Sequence, residues 1–268
     1  MVAQLLESTR LNRIQGVVPA IVVDNKDPEG RYRVKVKFPQ FLEATSKYAD
    51  EKDDEDFVSS WARIASFMAG PDRGSFFLPE VDDEVLCVFE NGDLRYPYVI
   101  GMLWNGVDKT IHDNNSQDGK NNYRSIKSRS GHIVTFLDND SEGKESIIIQ
   151  TKTQKDEEEK NPDERDGHWI RLDHSKGEEK LEIYDRKQEN YILIDSTNNK
   201  IIIETKTGDM EIKAKNKMLI ECETLEIHTR GKADVKVDST MTMGIKSGLD
   251  IDGGPTIKQK AGRIDLNP

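Results

Sequence analysis

From Met210 to the C-terminus, apolar residues recur in pairs about eight residues apart. The pairs are Met210/Ile212, Met218/Ile220, Leu225/Ile227, Val235/Val237, Met241/Met243, Leu249/Ile251, the single Ile257, and Ile264/Leu266. Inside each pair the spacing is two, the strand period. Lys, Glu, Asp, Thr, Asn and Gly fill the gaps. A repeat this short is not a helical solenoid, whose units run to roughly 20–50 residues. It predicts short strands separated by a turn every eight residues, each with one narrow apolar face and one charged face. One copy cannot bury such a face alone, so stacking and a partner chain are required.

The rest of the composition agrees with a thin core. The chain has 268 residues, enough for two domains, with 35% hydrophobic and 33% charged residues. Its formal net charge of −11 argues against a nucleic-acid binder, which needs a basic stripe, and against attraction to anionic membrane surfaces. No run of apolar residues is long enough to span a bilayer as a helix. Met1-Val-Ala-Gln-Leu-Leu-Glu lacks the regions of a signal peptide, so synthesis in a cytoplasm is expected. The two cysteines, Cys87 and Cys222, both fall in apolar strand patterns and read as free, buried, small hydrophobes.

Residues 1–15 form an N-terminal segment with a weak helical period (Val2, Leu5, Leu6, Thr9). Residues 16–106 carry strand signals in quick succession: Val17–Val23, Arg31–Phe38, Ser60–Ser66, Val81–Glu90 and Tyr96–Trp104. Asp27-Pro28-Glu29-Gly30 is a turn, and Asn105-Gly106 ends the series. About five strands with turn chemistry between them predict a small barrel. The acidic stretch Lys47–Asp56 lacks the spacing of a Ca²⁺ loop and reads as a solvated insertion. Residues 107–122 are a polar linker. Residues 123–268 then carry further strands at Tyr123–Ser128, His132–Leu137, Ser146–Thr151, Trp169–Leu172, Leu181–Tyr184, Tyr191–Ile194 and Ile201–Glu204. A second acidic loop, Gln154–Gly167, interrupts them, and Asp185-Arg186 and Asn198-Asn199 are turns.

Chemistry-bearing constellations are scarce. His112, His132, His168, His174 and His228 form no H-x-H, no H-x-x-x-H and no Cys/His cluster. There is no G-x-S-x-G, no Walker loop and no G-x-G-x-x-G. A glycosidase carboxylate pair would need an apolar pocket and aromatic platforms, and nothing marks two acids among fifty. No catalytic residue, cofactor or metal is expected.

One stretch is more specific. It runs through Trp61-Ala62-Arg63-Ile64-Ala65, Gly70, Arg73-Gly74-Ser75-Phe76-Phe77-Leu78-Pro79-Glu80-Val81 and Asp83-Glu84-Val85-Leu86. It continues through Phe89-Glu90-Asn91-Gly92-Asp93 and Tyr96–Gly106. It resembles the OB-fold domain of contractile-tail central spikes, the family of phage baseplate assembly protein V and VgrG-like spikes. Tyr123–His132 resembles that family's entry into its prism. The resemblance implies an all-β chain: an N-terminal OB-fold barrel followed by an intertwined trimeric β-helix, or triangular β-prism. It implies a structural, non-enzymatic homotrimer at a baseplate, piercing a cell envelope on sheath contraction and meeting the membrane only transiently. Such a particle is assembled in a bacterial cytoplasm.

The family's spikes usually carry a hub ahead of the barrel, and here about fifteen residues precede it, so a separate hub protein is expected alongside tail-tube and baseplate partners. No lysozyme insertion fits in 107–122, and the H-x-H tip of some family members is absent. The blunt apolar end is of the kind a PAAR-like tip protein caps in the family, which makes Ile264, Leu266 and Pro268 the expected tip-cap residues. A dozen strands at ~4.8 Å each give a shaft of roughly 60 Å, against about 40–45 Å for a bilayer with headgroups. The competing readings are a tailspike-like polysaccharide depolymerase, which needs aromatic-lined acidic grooves, and an OB-fold nucleic-acid-binding module. The latter would use the basic strand face of Arg31, Arg33, Lys35 and Lys37.

Overall fold

The computed structural model describes residues 13–40, 58–113, 119–151, 167–254 and 256–262. The segment 1–12, the acidic insertion Lys47–Asp56, most of the second acidic loop, and Ile264, Leu266 and Pro268 lie outside the described residues. The chain divides into two compact units, Met1–Met210 and Glu211–Pro268. The described residues are all-β apart from two short 3-10 turns and a helical turn at Pro39-Gln40.

Five strands close the barrel: β1 (Val18–Asp24), β2 (Arg33–Lys37), β3 (Ala62–Ile64), β6 (Glu84–Phe89) and β7 (Pro97–Leu103). Their order is β1-β2-β3-β7-β6, with β3 and β7 parallel and the other pairs antiparallel. Each long strand alternates, and the inward set Ala20, Val22, Val34, Val36, Phe38, Val85, Cys87 and Val99 is almost fully buried. β-branched residues dominate that set because they fit a pleated surface with little loss of side-chain freedom. Phe38 and Phe89 meet with ring centroids 5.4 Å apart, a tilted pair that fills the widest part of the core. The turn from β1 to β2 is fixed by Asp27, which accepts from the Glu29 and Arg31 amides and from both ends of the Arg33 guanidinium. That guanidinium holds the Asp27 carboxyl well below the usual carboxylate range.

Cys87 meets the sequence expectation, since burial pushes its thiol up to about 12. Cys222 does not. It is exposed, like every described residue from Lys206 onward. A two-stranded hairpin, β4 (Ala69–Gly70) and β5 (Arg73–Gly74), was not among the sequence-based strands. It is short and Gly-rich, and its pattern gives no period to detect. Gly74 sits at φ +157 with its α-carbon against the Met68 carbonyl, where a Cβ would come within 2.7 Å.

After the linker, seven strands form one antiparallel meander: β8 (Tyr123–Lys127), β9 (Ile133–Asn139), β10 (Lys144–Gln150), β11 (Trp169–Asp173), β12 (Lys180–Tyr184), β13 (Asn190–Asp195) and β14 (Lys200–Thr205). Every strand pairs with its sequence neighbour in unbroken register. The expected turns at Asp185 and at Asn198-Asn199 are present. Asp185 accepts from the Glu189 and Asn190 amides, and Asp195 accepts from the Asn198 amide. Asn199 adopts φ +51, the left-handed conformation that Asn tolerates better than most residues.

The second unit is built differently. None of its described residues belongs to a sheet. It bends at Lys215-Asn216, Glu223, Arg230-Gly231, Asp238-Ser239, Lys246-Ser247, Gly254 and Gly262, so the eight-residue period is a property of the backbone as well as the side chains. Counted from the bends, Val235 aligns with Ile227 and Ala233 with Leu225, which moves the fourth pair two residues earlier than the apolar pattern alone suggests. One step, from Ile220 to Ile227, is seven residues long.

Candidate functional site

The register of the meander sorts its side chains into rows, because directly opposed residues of antiparallel strands share a face. One row is Phe136, Ile147, Leu172, Leu181, Ile194 and Ile201. Two residues along each strand, on the same face, runs Ile126, Val134, Ile149, Ile170, Ile183, Ile192 and Ile203. Two adjacent rows across the sheet are therefore almost wholly aliphatic. Both remain open to solvent in the single chain: Leu172 is 46% exposed, Ile149 44% and Ile203 60%.

Polar rows flank this stripe on the same face. On one side lie Asp138, Glu145, His174, Glu179 and Ser196, and together with Phe136, Ile147, Leu172 and Leu181 they line a groove of about 580 Å³. The Glu179 carboxyl is held below its ordinary value by backbone amides and the Thr197 hydroxyl.

The opposite face of the sheet inverts the usual arrangement. Its polar side chains are the buried ones: Thr135, Ser146, Gln150, Asp173 and Glu182 are each less than 9% exposed. Arg171 pairs with Asp173 at 3.0 Å, Lys180 lies 3.8 Å from Glu182, and the Ser175 amide donates to Asp173 at 2.9 Å. Trp169, Tyr184 and Tyr191 stack in sequence along one row of this face, with centroids 5.8 and 5.0 Å apart. The charged face is thus largely paired within one chain, although the buried Ser146 hydroxyl, Arg171 Nε and Glu182 Oε2 find no hydrogen-bond partner among the described residues, whereas the aliphatic face is open. A contiguous apolar surface of this size marks a contact surface.

The same apolar spacing recurs in the sequence beyond the sheet. Ile192/Ile194 and Ile201/Ile203 are followed by Met210/Ile212, Met218/Ile220, Leu225/Ile227, Ala233/Val235, Met241/Met243 and Leu249/Ile251. A third residue, two further on, is also mostly apolar or small: Ala214, Cys222, Thr229, Val237, Ile245 and Gly253. Every described residue from Lys206 onward is exposed. The Thr207 hydroxyl still donates back to Glu189 at 2.9 Å, but from Gly208 onward the side-chain hydrogen bonds among the described residues reach no further than three residues, as from Lys213 to Glu211 and from Lys232 to Asp234.

The other sequence-derived candidates resolve as follows. The basic face of β2 is engaged by its own chain: Arg33 pairs with Asp27 and Glu29, and Lys35 lies 5.0 Å over the Trp61 ring. The His112 ring stacks on Tyr123 and hydrogen-bonds the Ser125 hydroxyl at 2.7 Å. Among the described residues no three His, Cys, Asp or Glu side chains converge as a metal site, and no helix is long and apolar enough to cross a membrane.

A closed five-stranded barrel with one parallel pair, leading into a sheet with an unpartnered aliphatic face, defines an OB-domain protein built for assembly. Residues 18–104 match the family described as the type VI secretion system/phage-baseplate injector OB domain. Three spike proteins of Pseudomonas aeruginosa PAO1 are similar. VgrG1c is 27% identical over 179 residues, covering 64% of this chain and 23% of its own length. VgrG1b is 27% identical over 179 residues, covering 64% and 22%. VgrG4b is 28% identical over 150 residues, covering 54% and 18%. The chain is therefore similar to baseplate-spike, VgrG-like proteins, through the OB-domain match over residues 18–104 and the 27–28% identity to these spike proteins. It spans less than a quarter of the length of these curated relatives.

Proposed function

We propose that the protein is the homotrimeric central spike at the baseplate of a contractile injection system, a phage tail or a phage-like particle. The observation that carries this reading is the aliphatic stripe two residues wide. On the sheet it runs from Ile126 to Ile203, and the same spacing recurs in the sequence from Met210/Ile212 to Leu249/Ile251 on described residues that belong to no sheet. Extended backbone must pair with something, and a regularly bent chain with one apolar edge is matched by identical chains with the same bends. Three copies close a prism whose interior is the stripe and whose outside is the Lys, Glu, Asp and Thr set. A closed prism has no lateral sheet edge.

In this reading residues 16–106 are the barrel that seats on a separate hub, 107–122 the linker, and 123–268 the shaft. The shaft works by stiffness and length, not by turnover, and sheath contraction supplies the driving energy. Light scattering coupled to size exclusion is expected to give about three times the 30.5 kDa chain mass. A folded monomer would overturn the reading. At the far end, Ile264, Leu266 and Pro268 form the seat for a PAAR-like cap. Ile264→Asp with Leu266→Asp is expected to abolish co-purification of the cap while the trimer persists. Equal recovery of the cap would make these residues interior filling.

A further inference from the structure

The barrel carries an apolar surface that neither its own core nor the aliphatic stripe uses. β3 and β7 run parallel, with Arg63 opposite Tyr98 and Ile64 opposite Val99, and the Ala65 amide donates to the Val99 carbonyl. The hairpin that follows β3 and the exit of β7 therefore leave the barrel at the same end. The hairpin presents Phe67, 98% exposed, with Met68 and Phe76. The exit of β7 presents Ile100, Met102 and Trp104, the last 64% exposed.

The hairpin is a braced element. The Ser66 hydroxyl donates to the Ser75 carbonyl at 2.7 Å. The Tyr32 hydroxyl donates to the Phe77 carbonyl at 2.8 Å and accepts from the Phe77 amide at 3.0 Å. The Tyr32 ring packs on Phe76 with centroids 4.9 Å apart. Three separate contacts thus hold aromatic side chains out into water. Rigid exposed aromatics are the usual anchors of protein contacts.

We infer that this hairpin is a clasp between copies: Phe67 and Phe76 of one chain seat on the Ile100–Met102–Trp104 stripe of the neighbouring chain, at the end of the barrel that leads into the meander. The inference rests on the trimeric reading above. A second copy is the occupant because the barrel end that carries this surface is tied to the start of the sheet whose aliphatic face that reading buries. Glu80, three residues past Phe77, pairs with Arg129 in the turn between β8 and β9 at 2.9 Å, which joins this end of the barrel to the start of the sheet. Knob and stripe also lie on one chain at different places. A contact of that heterologous kind closes into a ring when the rotation between copies closes, as it does for a prism of three.

The test uses full-length chains carrying Cys222→Ser, which leaves only the buried, unreactive Cys87. A Phe67→Cys chain and a Trp104→Cys chain are co-expressed and treated with a short bis-maleimide. A cross-linked dimer is expected from the mixture and from neither variant alone. Trimeric mass without that dimer overturns the clasp and leaves the trimer standing. Monomeric mass overturns the trimer, and the clasp with it. Loss of a separate baseplate protein from a Phe67→Asp trimer whose cross-link at Phe76→Cys and Trp104→Cys persists would reassign the hairpin to that protein, against the inference.

Discussion

Between β8 and β14 the apolar pair at spacing two sits on strands hydrogen-bonded to their sequence neighbours. Beyond Met210 the same pair recurs on described residues that join no sheet. The side-chain pattern is common to both regions, and the turn length separates them. Strand-to-strand loops in the meander let the chain reverse and pair with itself, as at Asp185 and at Asn198-Asn199. A single bend every eight residues redirects the chain without reversing it, so its ladder must come from elsewhere. Side-chain pattern therefore sets which face is buried, and turn chemistry sets who supplies the hydrogen bonds.

The largest effect should come from putting a charge into the unpaired region. Ile220→Asp places three carboxylates inside the proposed prism, and an unpaired buried charge costs several kcal/mol per copy. Hydrogen exchange of the full-length protein should show the amides around residues 211–230 losing protection while β9–β12 retain theirs. Equal loss in both regions would break the comparison, since the meander would then depend on partner chains as completely as the repeats do. A smaller effect is expected from Ile149→Ala in the meander. It should lower the stability of the assembled protein by about 2–5 kcal/mol per copy through cavity formation, read as a lower denaturant midpoint with strand content intact before the transition. An unchanged midpoint would mean that the stripe is solvated in the assembly.

The smallest effect concerns pH and belongs to the meander turns. The Asp185 carboxyl is held below its ordinary value by the Asn190 side chain and by backbone amides, and Asp195 by Asn198 in the same way. A carboxyl whose folded value is depressed stabilises the fold above its unfolded value near 3.9. That contribution is lost as pH falls through the lower folded value. Acid titration should thus open these turns below about pH 4, and Asp185→Asn should flatten the pH dependence of exchange at Glu189 and Asn190. The same slope in both proteins would assign the acid sensitivity to other groups.

Much of this was legible beforehand because alternation is written in single residues. Val34 and Val36 between Arg33, Lys35 and Lys37, or Ile192 and Ile194 beside Tyr191 and Leu193, give strand and face at once. The self-paired meander was not separable from the repeats, since Ile201/Ile203 and Met210/Ile212 look alike until the backbone between them is traced. Cys222 reads as buried in the sequence because it occupies an apolar phase, and it is exposed in the single chain. The hairpin after β3 was missed for a different reason. Its Gly70-Pro71-Asp72-Arg73-Gly74 core carries no period, and exposed Phe67 and Phe76 resemble core residues in a list of letters.

The seven-residue step between Ile220 and Ile227 has a consequence for errors of assembly. Identical octads can slide past one another by one unit and still match residue for residue, so a uniform repeat has no preferred alignment. A short step such as this one removes that degeneracy. If one chain slid by an octad, its short step would no longer lie level with those of its neighbours. Over the interval between the displaced steps its inward residues would face its neighbours' outward ones, because a shift of one residue exchanges the two faces of a strand. In the proposed trimer the irregularity would act as a vernier mark, which three chains bring level by aligning their short steps.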